Sequence, residues 1–527
     1  MITGKNYIGN EPSPVEGKAF ETFDPKRNVK TEWTFYEATP HEVAKAVDLA
    51  WTAFLEFRYF PGVKKASFLR KIASNIEGLG DELVHVYCKE TGLPEGRAKG
   101  ERGRTCFQLR TFADLVEEGS WIDANIDTAV PDRKPLPKLD LRKMKIPIGP
   151  IAVFGASNFP LAYSTAGGDT ASALASGCPV VVKSHPMHAG TGELVASAIV
   201  RAAQETGMPN GVFSNLNSSG IEVGQLLAKH PKIKGVGFTG SIKGGRALFN
   251  MAAQREEPIP VFAEMGSINP VVFLPIALKS KGKEWAKTYA GSITLGTGQF
   301  CTNPGLLLGL RDDALDGFVD SLSKEIIKIE PSCMLHPNII SKYDENKRSM
   351  LNANATSVTA LYSAEVATNY ARQAVVRVSG EAFIDNPRLH QEVFGPFSMI
   401  VECKDKEELI KVISGLEGQL TGTIIGTENE LEAYENVVKT LENRVGRLIF
   451  NGVPTGVEVC PSMQHGGPYP ASTDSRFSAV GINAIQRWVR PISYQNWPNH
   501  LLPEALKNEN PLAIHRLVNN KKTNTSI

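Results

Sequence analysis

Apolar residues recur at helical spacing through the first fifth of the chain and at strand spacing after it. Residues 1–38 mix Pro, Gly and aromatics and predict short strands and turns. Thr39-Pro-His-Glu42 predicts a helix start: a threonine cap, a proline in the first turn and a glutamate three positions after the cap satisfy free N–H groups reciprocally. Behind it Val43, Val47, Ala50 and Phe54 share one face, and Phe68, Ile72, Ile76 and Leu79 repeat the pattern. A third helix is expected over 81–90 and a longer one over 100–118. Residues 122–145, with Pro131, Pro135 and Pro137 among alternating charges, read as a linker or a two-stranded excursion.

From Ile146 the period shortens. Apolar strands are expected at 149–154, 177–183, 211–216 and 233–238. Helices separate them at 165–175, 192–204 and 222–228, and another starts near Gly244. Such short alternation predicts a parallel, doubly wound sheet. Its ligand should lie beyond the carboxyl ends of the strands, here 155–158, 183–185 and 239–241. After Pro258 a second α/β unit is expected, with strands near Val261 and at 271–274, 306–310, 398–401, 423–425 and 448–450. Its helices fall at 315–327 and 406–414. The tail from Arg490 is rich in Pro, Asn and Lys and reads as reaching over a surface or a partner subunit.

Bulk properties narrow the class. With 527 residues, 42% hydrophobic and 21% charged, the chain reads as a globular protein of two or three domains. A net charge of +1 gives no broad field for nucleic acid or an anionic membrane. No apolar run approaches the ~20 residues of a membrane span, and no signal-peptide pattern opens the chain. Seven cysteines without CxxC spacing suit free thiols in a reducing cytoplasm rather than structural zinc. His185, His188 and His465 invite a metal reading, but His185 and His188 sit in a Pro-bearing loop with no supporting Cys or carboxylate triad, and no metal is expected.

The candidate chemistry centres on Thr297-Gly-Gln-Phe-Cys-Thr-Asn303, a thiol among small and polar residues on a glycine-hinged loop. Such a thiol is approachable, as a nucleophile must be. Three strand ends supply partners for it. Asn158 offers an amide donor for developing oxyanion charge. Glu264, after Val261-Phe262 and before Gly266, is a candidate general base whose apolar setting would raise its pKa. Thr239-Gly240-Ser241 with Gly245 leads a strand into a helix whose N–H groups could hold a pyrophosphate. Lys183 ends a valine-rich strand within reach of ribose or phosphate oxygens. Each residue also has an ordinary structural reading as a turn, cap or solvated side chain.

Taken in order, these segments resemble the aldehyde dehydrogenase superfamily over essentially the whole chain. Asn158-Phe-Pro-Leu resembles its oxyanion motif, Glu264-Met-Gly-Ser-Ile-Asn-Pro its general-base motif, and Gly298-Gln-Phe-Cys301 its nucleophile motif. Glu392-Val-Phe-Gly-Pro396 resembles the segment that holds the nicotinamide ribose. The resemblance implies a Rossmann-type cofactor domain (1–121 and 146–257), a catalytic α/β domain (258–481), and an oligomerisation arm with a C-terminal tail (122–145 and 482–527). It implies Cys301 as nucleophile, Glu264 as base, Asn158 as oxyanion donor, and Lys183, Ser184, Thr239, Gly240, Ser241, Gly245, Glu392 and Phe394 as cofactor contacts. Superfamily members are usually dimers or tetramers. Where many NAD-preferring relatives carry a Glu three residues after the strand-end lysine, this chain has Pro186. That favours NADP, with NAD also accepted.

Ala166-Gly-Gly-Asp-Thr170, Lys183-Ser-His-Pro, 451–460 and His465-Gly-Gly-Pro-Tyr-Pro-Ala471 resemble the 2,5-dioxovalerate (α-ketoglutaric semialdehyde) dehydrogenase branch. NADP-linked fatty aldehyde dehydrogenases share some of this texture and are the alternative. Aligned with the superfamily's tunnel helix, Arg104 falls on the substrate wall with Gln108 one turn on and facing the same side, and Phe159 is a further substrate-binding candidate; a guanidinium there would grip an oxo acid. The competing reading pairs Arg104 with Glu101 on a solvated face. A non-catalytic nucleotide-binding scaffold would lack Cys301 or Glu264, and an acyl-phosphate reductase would lack the Glu264 segment.

Overall fold

The computed structural model describes residues 2–527. Its first sheet has seven strands in the order Val261–Glu264, Gly235–Thr239, Ile151–Phe154, Val180–Lys183, Phe213–Leu216, Tyr7–Ile8 and Glu11–Pro12. The first five are parallel and the last two antiparallel. These strands are continuous apolar runs because both faces are covered. Ile151, Val153, Val180 and Val182 pack into one core. Ala152, Phe154 and Val181 point the other way, into a core shared with Val43, Val47 and Ala50. Strand periodicity thus sends alternate residues to opposite helical layers. The capping box at Thr39 is formed: Glu42 N–H donates to Thr39 Oγ1 at 3.2 Å, and Thr39 N–H donates to Glu42 Oε2 at 2.8 Å, opening helix Pro40–Phe57.

A second seven-stranded sheet runs Ser357–Leu361, Ala374–Ser379, Phe397–Cys403, Leu306–Leu310, Pro270–Phe273, Gln419–Ile425 and Val445–Phe450. Only the first pairing is antiparallel. It too is covered on both faces, with Val272, Leu306 and Leu308 in one core and Val271, Phe273 and Leu307 in the other.

Contrary to expectation, the strand at Val261 does not begin the second unit. It pairs in parallel with Gly235–Thr239, Val236 opposite Val261 and Thr239 opposite Glu264, as the outermost strand of the first sheet. A buried strand followed at once by another carries no local mark of which sheet it joins. The crossing between sheets is Met265–Asn269, beyond Glu264.

Residues 122–145 and the C-terminal tail meet in a five-stranded sheet ordered Val489–Gln495, Leu141–Pro147, Asn125–Asp127, Arg516–Val518, Lys521–Thr523. Its small core is built from Ile126, Leu502, Leu506 and Ile514. Among the described residues no helix is long and apolar enough to cross a membrane, and all seven cysteines are free.

Candidate active site

The two sheets face one another with opposite ends. The first contributes residues at or just past the carboxyl ends of its strands: Asn158 after Ile151–Phe154, Thr239–Ser241 at the end of Gly235–Thr239, and Glu264 closing Val261–Glu264. The second contributes residues that lead into its strands: Asn269 before Pro270–Phe273, Cys301 before Leu306–Leu310, and Glu392 before Phe397–Cys403. Cys301, Glu264 and Asn158 share the wall of one cavity of about 370 Å³.

The cysteine loop is held in an unusual backbone conformation. Gly296, Thr297 and Gly298 have φ of 54°, 60° and 64°. For a threonine that region is strained, and the strain is offset by Thr297 Oγ1 lying 2.6 Å from Ser332 Oγ and donating to Cys333 O. Gly298 has no substitute: a Cβ there would lie 2.3 Å from the Gly395 carbonyl carbon, so the loop is pressed backbone to backbone against the Glu392 segment. On its far side Asn269, itself at φ 48°, donates through Nδ2 to Cys301 O at 2.8 Å and Asn303 O at 2.9 Å. Gln419 pins the crossing by accepting from Ile268 N–H at 2.7 Å.

Cys301 Sγ lies 3.7 Å from His465 Nε2, and that nitrogen lies 2.9 Å from Glu264 Oε1. His465 therefore belongs to the group, a place that the sequence motifs do not reveal. It arrives because residues 471–473 run along the free edge of Val261–Glu264. Met265 N–H donates to Ala471 O at 2.8 Å, and Ala263 N–H to Thr473 Oγ1 at 2.9 Å. His465 N–H donates to Ser478 Oγ, and its carbonyl accepts from Ala479 N–H. Nothing local in sequence ties residue 465 to residues 264 and 301, so only the pairing of that edge brings it in.

Burial pushes the Cys301 thiol well up, the Glu264 and Glu392 charges add to this, and Arg104 pulls against them. The resting sulfur therefore holds its proton. Glu264 is buried, and neither of its oxygens accepts a well-aligned hydrogen bond; the His465 contact is close but off-axis. Asn158 Nδ2 donates to Gln299 O at 3.0 Å, which leaves its second N–H for another acceptor.

Thr239, Gly240, Ser241, Glu392 and Phe394 line the same cavity. Ser241 caps helix Ile242–Ala253, accepting from Gly244 N–H at 3.2 Å, and that helix has no acidic residue in its first turn. Its free N–H groups suit a phosphate. Gly266 leaves room for the Glu392 carboxylate, since a Cβ there would sit 2.3 Å from Glu392 Oε2. Loss of hydration pushes Glu392 up to about 7, with the Ser267 N–H pulling it down. These features fit a dinucleotide: anion-binding N–H groups at one end and a hydroxyl acceptor at the other. Asn338, Lys342 and Asn346 also line the cavity, from helix Pro337–Leu351, which the sequence pattern does not reveal.

The remaining sequence candidates do not line this cavity. Ser184 Oγ is buried without a partner and turned toward Gly192, away from the cavity. Gly245 serves helix packing, where a Cβ would meet Met265 Sδ at 2.6 Å. Lys183 is not on the cavity wall; burial pulls its ammonium down to about 8, with Glu37 opposing. Arg104 does not pair with Glu101. Its Nη2 donates to Tyr163 Oη at 3.0 Å while Nε has no partner. Glu101 instead accepts from Tyr87 Oη and the Leu161 and Ala162 N–H groups. Gln108 is buried against Gly168 with Nε2 unpartnered. Phe159 packs edge-on against Tyr163 and Phe300, its ring centroid 5.2 and 5.4 Å from theirs. A second guanidinium, Arg447 on Val445–Phe450, lies close enough to feel the charges of Tyr163 and Cys301.

Residues 13–488 match the sequence profile of the aldehyde dehydrogenase family. The chain is 44% identical over 517 residues to an alpha-ketoglutaric semialdehyde dehydrogenase of Acinetobacter baylyi, covering 98% of each chain. It is 46% identical over 524 residues to alpha-ketoglutaric semialdehyde dehydrogenase 2 of Azospirillum brasilense, covering 99% of each. Among solved structures, methylmalonate-semialdehyde dehydrogenase from Oceanimonas doudoroffii superposes with a TM-score of 0.80 at 18% identity, over 94% of this chain and 99% of the other. Betaine aldehyde dehydrogenase from Staphylococcus aureus in complex with NAD+ gives 0.80 at 18%, over 94% and 95%. Matched along nearly its whole length by sequence and by fold, the chain belongs to the aldehyde dehydrogenase family.

Proposed function

We propose that the protein oxidises 2,5-dioxopentanoate (α-ketoglutaric semialdehyde) to 2-oxoglutarate with a nicotinamide cofactor, through a thioester on Cys301. The observation that carries this reading is the meeting of Cys301, His465 and Glu264, whose donor atoms lie within 4.8 Å of one another. The substrate assignment draws on the two relatives sharing 44% and 46% identity over nearly full length. It draws also on the guanidinium of Arg104, which faces Tyr163 beside the thiol with Nε free.

His465, 3.7 Å from Sγ, takes the thiol proton, and the Glu264 carboxylate 2.9 Å away balances the charge of the imidazolium. The thiolate adds to the aldehyde carbon, and the free N–H of Asn158 receives the developing oxyanion. Such a donor lowers the barrier by about 3 kcal/mol. The chemistry a bound nicotinamide supplies is acceptance of the hydride that leaves this carbon. Thr239, Gly240 and Ser241 would hold the cofactor's phosphates, and Glu392 with Phe394 its nicotinamide ribose. Once that first proton has passed from His465 to solvent, Glu264 removes a proton from the water that cleaves the thioester, and Cys301 leaves as the thiolate. Arg104 would grip the oxo-acid end of the substrate, with Phe159, Tyr163 and Phe300 walling the reacting carbon.

NADP is the cofactor favoured here, with NAD accepted, because Pro186 stands where many NAD-preferring relatives carry a carboxylate that would repel a 2′-phosphate. The assembly is a homo-oligomer. Two sheet edges support this: Val445–Phe450, with Leu448 and Phe450 exposed, and Val489–Gln495 at the border of the arm sheet. The deciding assay follows cofactor reduction with a panel of aldehydes under NADP and NAD. The expected result is kcat/KM highest for 2,5-dioxopentanoate with NADP. A long aliphatic aldehyde turned over faster would overturn the substrate assignment.

A further inference from the structure

Glu264, Cys301 and His465 also form a donor set that dehydrogenation does not require. One sulfur, one imidazole nitrogen and one carboxylate oxygen lie within 4.8 Å of one another. Three protein ligands of these types with an open fourth position make a zinc site of the catalytic kind, with Zn–S about 2.3 Å, Zn–N about 2.0–2.1 Å and Zn–O about 2.0–2.2 Å. Around a tetrahedral ion those lengths separate S from N by roughly 3.6 Å and N from O by roughly 3.4 Å. The protein holds them at 3.7 Å and 2.9 Å. Sulfur and imidazole already stand at the spacing an ion needs, and seating it requires the carboxylate to shift so that its oxygen lies roughly 3.4 Å from the nitrogen and roughly 3.6 Å from the sulfur.

Two further observations point the same way. Glu264 is 4% exposed, and neither of its oxygens has a well-aligned hydrogen bond, an arrangement that leaves a buried acceptor unsatisfied. The charges also balance. A divalent ion with one thiolate, one carboxylate and a neutral imidazole is net neutral, so the filled site buries no net charge. The guanidinium of Arg104 opposes the ion's charge, and the carboxylate of Glu392 opposes Arg104; both act on Cys301. The way in is the cavity that Cys301 and Glu264 line.

We propose that Glu264, Cys301 and His465 form a reversible inhibitory site for a thiophilic divalent cation of the zinc class. The ion replaces the thiol proton, so one metal–sulfur bond forms, one proton is released to solvent, and no redox change occurs. With its sulfur bound, the enzyme has no nucleophile.

The test uses chelator-stripped protein titrated with Co2+ as a spectroscopic stand-in and with Zn2+ by calorimetry, in the absence of aldehyde and cofactor. Expected are one ion per chain, a thiolate-to-cobalt charge-transfer band displaced by Zn2+, and release of about one proton per ion. His465→Asn should weaken Zn2+ binding by about 100-fold or more. Cys301→Ser should abolish the band while leaving the circular dichroism spectrum unchanged. Cobalt binding with no charge-transfer band, a band that survives in Cys301→Ser, or unchanged Zn2+ affinity in His465→Asn would each overturn the proposal. None of these readouts depends on turnover, so they stand apart from the outcome of the aldehyde panel.

Discussion

The first sheet presents the carboxyl ends of its strands to the cleft, and the second presents the loops that enter the amino ends of its strands. Asn158 stands just past a strand with a ladder on either side, and Glu264 closes an edge strand held by one ladder and by bonds to residues 471–473. Cys301 stands on a loop whose shape depends on three consecutive residues at positive φ, one glycine–backbone contact and one asparagine. The polar partners are thus placed by sheet geometry, and the nucleophile by local strain held down from two sides. Fixed donors suit charge stabilisation, which needs no rearrangement at the moment of reaction. A tensioned loop carries the atom that must form and break a bond.

That contrast can be broken from either side. Asn158→Ala removes a donor from the first sheet and should lower kcat by about 10²–10³-fold with little change in melting temperature; steady-state kinetics at saturating aldehyde would show it, and an unchanged kcat would remove Asn158 from the reaction. Gly298→Ala disturbs only the second side. A Cβ 2.3 Å from Gly395 at φ 64° must shift the loop, and a displacement of about an ångström costs on the order of 10²-fold in kcat. Cofactor affinity, measured by fluorescence titration, should change far less.

Smaller effects sharpen the electrostatic half. Arg104 is the charge that draws the Cys301 thiol down against burial, Glu264 and Glu392. Arg104→Met should therefore move the pH profile of Cys301 alkylation by iodoacetamide to higher pH; a shift to lower pH would contradict the arrangement. Glu392, at about 7, gains its charge as pH rises through neutrality, and only then is it a full acceptor for ribose hydroxyls. Cofactor affinity should strengthen from pH 6 to pH 8. Glu392→Gln should flatten that dependence and cost about fivefold at the upper end.

The regular parts of this site are legible in the sequence for a physical reason. Strand ends in a parallel sheet are where ligands lie, and alternation of apolar runs with helices reveals the strands. Asn158, Thr239–Ser241 and Glu264 come from that rule, and the capping box at Thr39 from equally local chemistry. Cys301 is visible only through its glycines. His465 is not visible at all, because its place depends on an edge pairing more than 200 residues distant in sequence, Ala263 to Thr473. Val261–Glu264 reads as the start of a second unit for the same reason: a strand's hydrophobicity does not name its neighbour. Helix Pro337–Leu351, polar over most of its surface, has too weak an apolar stripe to be found, and with it Asn338, Lys342 and Asn346 go unseen.

The most direct measurement is rapid acid quench of Glu264→Gln mixed with aldehyde and cofactor, followed by mass spectrometry of the intact chain and its peptides. With the thiol present and water activation removed, one reduced cofactor should appear per active site, and an acyl group should accumulate on the peptide containing Cys301. A burst of reduced cofactor with no adduct, or an adduct on another of the seven cysteines, would contradict the account.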